Sequence, residues 1–354
     1  MRRLRRIYLG TPIMRPAMKT LPVLLMLAFA ATPVNAEEST RSGRIEYRPP
    51  VSEQSVPEIF RLPAHAFDFD QRPLKTVSTK IAISEVTFPS PVVTPHENNN
   101  TVHCEYFRPV THGKRTAVVV LHILGGDFEL SRLFCRTLAH HDVGALFVKM
   151  PYYGPRQQPG IDRRMVSRNP RETVAGMTQA VLDIRRAAAW LADQEDVDAQ
   201  RLGIFGISLG GITSALAASA EPRFQNVCLM LAGGDMGRIG WDSPELADSR
   251  QNWLDAGGTR ESFFEIVRPI DPVTYASNLH GRRILMLNAR HDETIPRACT
   301  EALWHALNEP EIIWMDAGHI SSMRFIFDGL ASVTRFFSDS APGGKNSGEL
   351  PQAK

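Results

Sequence analysis

Short apolar runs alternate along the chain with longer segments in which apolar residues recur every three or four positions. Residues 116–121 and 143–149 are nearly continuous apolar runs, which is typical of strands buried on both faces of a sheet. Residues 172–193 carry apolar side chains at helical spacing, which predicts a long amphipathic helix. The alternation of the two patterns predicts an α/β fold, with a mostly parallel sheet and helices on both faces.

The same pattern predicts the remaining elements. Predicted strands cover residues 81–88, 102–107, 201–207, 226–232, 283–287 and 312–315, and predicted helices cover residues 128–140, 210–218 and 320–337. Residues 236–279 exceed an ordinary connection in length and contain two tryptophans and the Phe263-Phe264 pair. We interpret this segment as a small cap insertion over the functional site.

The N-terminus has the pattern of a secretory signal. Residues 1–19 include six basic residues and no acidic one, residues 21–31 are almost wholly apolar, and small side chains flank Asn35. This order predicts a signal peptide over residues 1–36 and export to the periplasm or the medium. A retained anchor is the alternative, but the apolar run is about half of the ~20 residues that a membrane-spanning helix needs. We therefore expect no stable membrane span after cleavage.

The remaining boundaries follow from composition. Residues 37–78 are rich in Ser, Pro and charge with little periodicity, and we interpret them as an N-terminal extension or linker. Residues 79–338 form the predicted α/β domain, and residues 339–354 form a predicted disordered tail.

Charge, cysteines and motifs exclude several classes of function. The chain has 40 basic and 38 acidic residues; without residues 1–36, which hold six basic residues, 34 basic residues oppose 38 acidic ones and the net charge is −4. That balance gives no indication of nucleic-acid binding. No phosphate loop, dinucleotide fingerprint or zinc-ligand spacing is present, so neither a cofactor nor a metal is expected. The spacing of the cysteines leaves one disulfide, two or none open: Cys104, Cys135, Cys228 and Cys299.

The strongest chemical signal is the GISLGG motif at residues 206–211, between a predicted strand and a predicted helix. A serine on such a tight turn presents its hydroxyl over the sheet edge, and the flanking glycines relieve crowding. Ser208 is therefore the predicted nucleophile. The alternative is a glycine-rich turn that only packs a helix on a strand.

A serine hydroxyl needs a base, and the base needs a carboxylate partner. His319 follows the last predicted strand, and Asp292 follows the strand over residues 283–287. Ser208, Asp292 and His319 occur in the order serine, acid, histidine that a strand-end triad of this kind uses. Glu293 is adjacent and is expected to point elsewhere. Asp235, after the strand over residues 226–232, is the competing acid.

Two backbone N–H groups are candidates for the oxyanion hole. The N–H of Leu209 lies at the start of the predicted helix, next to the nucleophile. The loop over residues 122–127 contains two glycines that permit close approach to a substrate, and Leu124 is its candidate donor, with Gly125 as the alternative. His122 in this loop is expected to be structural.

Residues 151–156 (PYYGPR) follow the strand over residues 143–149, on the expected catalytic side. Tyr152, Tyr153 and Arg156 are therefore candidate substrate-binding residues. The alternative is that the tyrosines pack the loop and Arg156 pairs with an acid.

The GISLGG motif, residues 292–296 and Gly318-His319 together resemble the α/β-hydrolase superfamily, in its dienelactone-hydrolase-like branch, over roughly residues 115–338. The PYYG loop, residues 125–127 and residues 318–321 resemble a little-characterised α/β-hydrolase-domain subfamily. Dienelactone hydrolases proper use a cysteine nucleophile, so the serine here favours cleavage of ordinary carboxylic esters.

The sequence therefore predicts a serine hydrolase that cleaves a small-molecule ester through an acyl-enzyme. A peptidase of the same fold is one alternative, although such enzymes usually carry a large propeller domain before the catalytic one. A catalytically inactive binding protein is the other, and the complete Ser, Asp and His set argues against it.

Overall fold

The buried apolar runs form the centre of a single mixed sheet. A computed structural model describes residues 40–74, 80–126, 128–243 and 246–339. Within these ranges the sheet has ten strands, and their neighbours follow the order β1-β2-β3-β4-β6-β5-β7-β8-β9-β10. The strands are β1 (Arg41–Tyr47), β2 (His65–Pro73), β3 (Ile81–Pro89), β4 (Thr101–Pro109), β5 (Arg115–Leu121), β6 (Gly144–Val148), β7 (Val197–Ile207), β8 (Phe224–Met230), β9 (Arg283–Ala289) and β10 (Glu311–Met315).

The sheet is parallel from β6 to β10 and antiparallel from β1 to β4. Strand β5 pairs in parallel with β6 and β7, whereas β4 pairs with β6 in antiparallel register. Parallel strands place their carboxyl ends at one edge, so the loops after β5, β7, β9 and β10 converge there. The predicted α/β architecture is confirmed.

Helices cover both faces of the sheet, as the double-sided burial of β5 requires. Ala117 and Val119 face one hydrophobic cluster and Val118 and Val120 face the other, and all four side chains are fully buried. The helices are α1 (Phe128–His140), α2 (Pro170–Ala192), α3 (Leu209–Ala220), α4 (Met236–Asp242), α5 (Ala247–Asp255), α6 (Arg260–Val267), α7 (Pro272–Tyr275), α8 (Arg297–Ala306) and α9 (Ile326–Ser338). Helices α2 and α3 pack on the first cluster, and α1 and α9 pack on the second.

The N-terminal segment differs from the expected linker. Residues 41–47 and 65–73, inside the segment interpreted as an extension over residues 37–78, form the antiparallel strands β1 and β2 at the sheet edge. Phe69 of β2 is buried and contacts Trp190 of α2 in an edge-on arrangement, with 5.9 Å between ring centroids. Aromatic residues that point inward alternate with charged residues that point outward in β2. This pattern stabilises the strand only when the inward side chains pack against the rest of the sheet and its helices.

Two further details refine the sequence expectations. The closing helix was predicted to start at residue 320, but Ser321–Phe325 forms a 3₁₀ helix and α9 begins at Ile326. The four cysteines are buried and free, which settles the open question of disulfides.

The predicted signal peptide and C-terminal tail lie outside the described residues. No helix within the described residues is long and apolar enough to cross a membrane.

Candidate active site

The nucleophile candidate lies on a strained turn between β7 and α3. Ser208 has φ 54° and ψ −116°, a conformation that non-glycine residues adopt at a cost of about 1–3 kcal/mol. Its backbone N–H donates to the carbonyl oxygen of Met230 at 2.8 Å, which ties the turn to β8. The surrounding structure offsets this strain.

Glycines flank the serine because there is no space for a Cβ atom. A Cβ on Gly206 would lie 2.2 Å from the carbonyl oxygen of Gly210, and a Cβ on Gly210 would lie 2.6 Å from that of His122. Both neighbours are backbone atoms, which cannot move without displacing a strand or helix. The G-x-S-x-G spacing is therefore a steric requirement of this turn.

The structure brings Ser208, His319 and Asp292 together. His319 Nε2 lies 3.0 Å from Ser208 Oγ, and His319 Nδ1 lies 2.8 Å from Oδ2 and 3.0 Å from Oδ1 of Asp292. Asp292 follows β9 and His319 follows β10, so two adjacent strand ends position them. All three residues are only 8% exposed, so water competes little with these contacts.

The hydrogen bonds of Asp292 define the tautomer of His319. Asp292 Oδ1 accepts the backbone N–H groups of Thr294 at 2.9 Å and Ile295 at 2.7 Å. These donors hold the carboxylate in place beside Nδ1, which favours the proton on Nδ1. The lone pair of Nε2 then faces the serine hydroxyl and can accept its proton.

Asp235, the competing acid, has a different role. It is the N-cap residue of α4, and its carboxylate accepts the N–H of Arg238 at 3.1 Å. Its own N–H donates to Asp271 at 3.0 Å. Asp235 thus starts α4, the first of the cap helices, α4–α7, which lie in the segment interpreted as a cap. Asp292 occupies the position beside the histidine.

Glu293 is a contact of His319 that the sequence did not indicate. Its Oε2 accepts the backbone N–H of His319 at 2.9 Å, and this bond is the main reason that the pKa of Glu293 lies below its ordinary value. A Cβ on Gly318 would lie 2.3 Å from that same oxygen. The two consecutive acids, Asp292 and Glu293, therefore hold the ring and the backbone of one histidine. The two consecutive acids and the Gly-His pair are both visible in the sequence, but only the structure shows that the two loops lie against each other.

The predicted oxyanion donors lie around the same cavity. Leu209 is the first residue of α3, where a backbone N–H has no acceptor within the helix, and it lines the cavity together with Ser208 and Leu124. Gly125 and Gly126 adopt φ values of 87° and 74°, which let the loop turn sharply beside the site. The assignment of Leu124 rather than Gly125 as the second donor stays a prediction.

His122 is structural, as expected. It is fully buried, and burial lowers its pKa to about 4. Its Nε2 accepts the N–H of Met150 at 3.1 Å, which places the proton on Nδ1, where it donates to the Ile123 carbonyl at 2.8 Å. The neutral ring thereby joins the loops that follow β5 and β6.

The three candidate substrate-binding residues of the PYYG loop do not reach the cavity. Arg156 is fully buried and pairs with Asp183 of α2 at 2.8 Å, and Tyr152 donates its N–H to Asn99 at 2.9 Å. Tyr153 packs on His122 with 4.6 Å between centroids, and burial raises its pKa to about 12. The expectation is corrected for Tyr152, Tyr153 and Arg156: this loop packs against the core because the buried Asp183 carboxylate needs a cationic partner.

A largely apolar cavity of about 150 Å³ opens at Ser208. Its walls come from the cap helices, from the start of α3, and from residues 166–173 at the start of α2, a segment that sequence reasoning did not connect with the site. The apolar part of the wall includes Ile212, Met236, Ile239, Trp241, Trp253 and Phe263. A cavity of this size holds a group of about six carbon atoms, such as a benzene ring.

Two protein-family models and one curated relative match parts of this chain. The model of the prolyl oligopeptidase family matches residues 177–342, and that of alpha/beta hydrolase domain containing 18 matches residues 71–235. An uncharacterised protein of Mycobacterium tuberculosis is 29% identical over 187 residues, which cover 51% of this chain and 43% of the relative. The chain thus spans less than half the length of that relative.

Solved structures show the same architecture. Acetyl xylan esterase 1 from a Thermoanaerobacterium species is 20% identical with a TM-score of 0.61, and the match covers 77% of this chain and 88% of the other. An acetyl xylan esterase from a Paenibacillus species is 22% identical with a TM-score of 0.57, covering 73% of this chain and 88% of the other. At these identities the likeness establishes the α/β-hydrolase fold.

Proposed function

We propose that this chain, a member of the α/β-hydrolase superfamily, is a serine hydrolase that cleaves small-molecule carboxylic esters. The observation that carries the proposal is the continuous contact from Asp292 through His319 to Ser208 at the wall of an apolar cavity. The esterases among the structural neighbours support ester bonds as the substrate class.

Acylation begins when Ser208 Oγ attacks the ester carbonyl carbon while His319 Nε2 takes the hydroxyl proton. Asp292 stabilises the resulting imidazolium through its bond to Nδ1. The carbonyl oxygen becomes an oxyanion, and the N–H groups of Leu209 and Leu124 are the proposed donors to it. Collapse of the intermediate breaks the bond to the alcohol oxygen, which receives the proton from Nε2.

Deacylation repeats these steps with water. His319 takes a proton from water as the hydroxide oxygen attacks the acyl carbon, and the bond to Ser208 Oγ breaks as Oγ regains a proton. The products are a carboxylic acid and an alcohol, and the enzyme returns to its starting state.

Replacement of Ser208 tests the proposal. We expect Ser208→Ala to lower kcat/KM for p-nitrophenyl hexanoate by about 10⁴–10⁶ while circular dichroism stays unchanged. His319→Ala should lose a similar factor and the double variant little more, because the two residues act as a unit. Ser214→Ala is the matched control, since this serine lies on α3, the helix that follows Ser208, and its buried hydroxyl has no hydrogen-bond partner in the described structure.

A fluorophosphonate probe supplies an independent readout. Labelling should map to Ser208 in the wild type and in Ser214→Ala and be absent from Ser208→Ala. Substantial hydrolysis by a folded Ser208→Ala variant is incompatible with the proposal.

A peptidase is the second candidate, favoured by the match to the prolyl oligopeptidase family. It shares the acylation chemistry and differs in the leaving group, which is an amine. Parallel assays with prolyl p-nitroanilide peptides and p-nitrophenyl esters separate the two. The rate enhancement over the uncatalysed reaction is compared for the two substrates, and a larger enhancement for the anilide than for the ester would identify a peptidase.

We further propose, from the sequence pattern, that residues 1–36 are removed on export and that the mature protein starts near Glu37. N-terminal sequencing of the exported protein tests this. Recovery of residues 2–19 in a membrane fraction would indicate an anchor.

A further inference from the structure

The apolar cavity at Ser208 carries two arginines in its wall. Arg168 lies in the segment that leads into α2, and Arg250 lies on cap helix α5. They therefore reach the cavity from two different elements, the α/β core and the cap. Arg168 is exposed and Arg250 is partly buried.

Neither arginine pairs with a carboxylate within the described part of the chain. Arg250 donates to the carbonyl oxygen of Trp241, and that contact joins α5 to α4. Nearby arginines behave differently: Arg163 pairs with Glu172 at 3.6 Å, and Arg238 pairs with Asp242 at 3.5 Å. The cavity thus has two arginine side chains in a largely apolar wall, and neither is in an ion pair with a described side chain.

We propose that the substrate carries an anionic oxyacid group, a carboxylate or a phosphate, separated from the scissile ester by a short apolar segment. The inference rests on the proposed ester hydrolysis and deepens it by naming the substrate class. The apolar segment packs on Trp253 and Phe263, and the anion binds Arg168 and Arg250. A cavity of about 150 Å³ matches an acyl group of about six carbon atoms, counting the carbon atoms of the ester and the terminal acid.

The chemistry of the two side chains suits this substrate. A guanidinium presents donors in a planar fork that matches two oxygens of a carboxylate or phosphate, while its methylene stem packs on apolar surface. An uncharged acyl chain satisfies the apolar wall but makes no hydrogen bond to either guanidinium group. An anionic group satisfies both features of the cavity.

Two esters that differ only in the terminal group provide the test. We expect kcat/KM of the wild type to be higher for p-nitrophenyl hydrogen adipate than for p-nitrophenyl hexanoate. An apolar pocket without an anion site would give the opposite order, because it binds the neutral chain more tightly. Adipate is chosen because shorter half-esters hydrolyse by attack of their own carboxylate. A matched ester with a terminal phosphate in place of the carboxylate distinguishes the two anionic groups. The group that the enzyme prefers is the one whose ester has the larger kcat/KM.

Substitutions assign the preference to the arginines. Arg168→Met and Arg250→Met should each lower the adipate-to-hexanoate ratio of kcat/KM by about tenfold, the size of a charge-assisted hydrogen bond at a partly exposed site. Arg168→Lys and Arg250→Lys should each retain part of the ratio, because lysine keeps the charge but not the planar fork. Arg260→Met is the matched control, since Arg260 is an exposed cap arginine that stacks on Phe264 at 4.3 Å and lies outside the cavity wall.

Binding to the Ser208→Ala variant separates this inference from the proposed function, because it needs no turnover. Ligand-observed NMR should detect p-nitrophenyl hydrogen adipate on Ser208→Ala and lose it when Arg168→Met and Arg250→Met are added. Arginine-dependent binding without hydrolysis by the wild type would keep the anion site and overturn the esterase. A ratio that neither methionine variant changes, or a wild type that prefers hexanoate, would overturn the anion site and leave the esterase standing.

Discussion

Replacing Asp292 with asparagine isolates the contribution of one proton to catalysis. In the structure Oδ1 of Asp292 accepts two backbone N–H groups, from Thr294 at 2.9 Å and Ile295 at 2.7 Å. The new side-chain amide must therefore place its oxygen at the Oδ1 position, because the opposite orientation loses two hydrogen bonds worth about 2 kcal/mol together. The amide NH₂ then lies at the Oδ2 position, 2.8 Å from His319 Nδ1 in the native geometry.

That orientation reverses the tautomer of His319. A donor facing Nδ1 requires a lone pair there, so the proton of the neutral ring moves to Nε2, which lies 3.0 Å from Ser208 Oγ. Nε2 then cannot accept the serine proton. We expect kcat to fall by about 10⁴, the loss that the same change causes in other serine triads, equivalent to about 5 kcal/mol of transition-state stabilisation.

The assay is kcat and KM on p-nitrophenyl hexanoate, with thermal melting to confirm the fold. Asp292→Asn is nearly isosteric and retains both backbone bonds, so the melting temperature should change little. Asp235→Asn is the matched control, because its side-chain oxygen can still cap α4 through the N–H of Arg238. Wild-type activity in Asp292→Asn, or a large loss of kcat in a folded Asp235→Asn, would refute the assignment of the acid.

Three further outcomes follow from contacts around the site and the sheet. Burial lowers the pKa of His122 to about 4 in the folded state, below the value of about 6.5 in the unfolded chain, so the free energy of unfolding should fall by about 3 kcal/mol between neutral pH and pH 4. Denaturant unfolding of the wild type and of His122→Gln at pH 7 and pH 4 measures this loss, and an equal pH dependence of the two proteins would contradict it. Trp190→Ala should lower the free energy of unfolding by about 3–5 kcal/mol, because the side chain is fully buried and contacts Phe69 and Tyr106 edge-on; a loss below about 1 kcal/mol in urea would show that β2 does not pack as described. Glu293→Ala removes the acceptor of the His319 backbone N–H and should lower kcat/KM about threefold to tenfold. Glu293→Gln keeps an acceptor oxygen and should stay near the wild type, and equal losses in the two variants would assign the effect to charge instead of to this hydrogen bond.

The central strands and the candidate nucleophile, Ser208, were predictable because their signals are local. An interior strand such as β5 is covered on both faces, so every residue in Arg115–Leu121 is buried and its central run, residues 117–121, must be apolar. The turn at Ser208 needs glycines at fixed positions because backbone atoms occupy the space of a Cβ. Both requirements act within a few residues, so they leave a pattern in the sequence.

The identity of the acid beside His319, the edge hairpin and the cavity wall depend on contacts between distant segments. Asp235 and Asp292 both follow strands, and only the positions of the loops after β9 and β10 decide which carboxylate lies beside His319. Strand β1 is recognisable as a strand only through its register with β2.

Arg156 shows the same dependence in a charged side chain. The PYYG loop made it a candidate for substrate, and the buried carboxylate of Asp183, supplied by α2, made it a structural ion pair instead. Burial of a charge is costly unless a partner is present, and the partner comes from elsewhere in the chain. The sequence alone thus determined the central strands and the candidate nucleophile, whose constraints are steric and local, while tertiary packing decided which charged groups meet each other and which line the cavity.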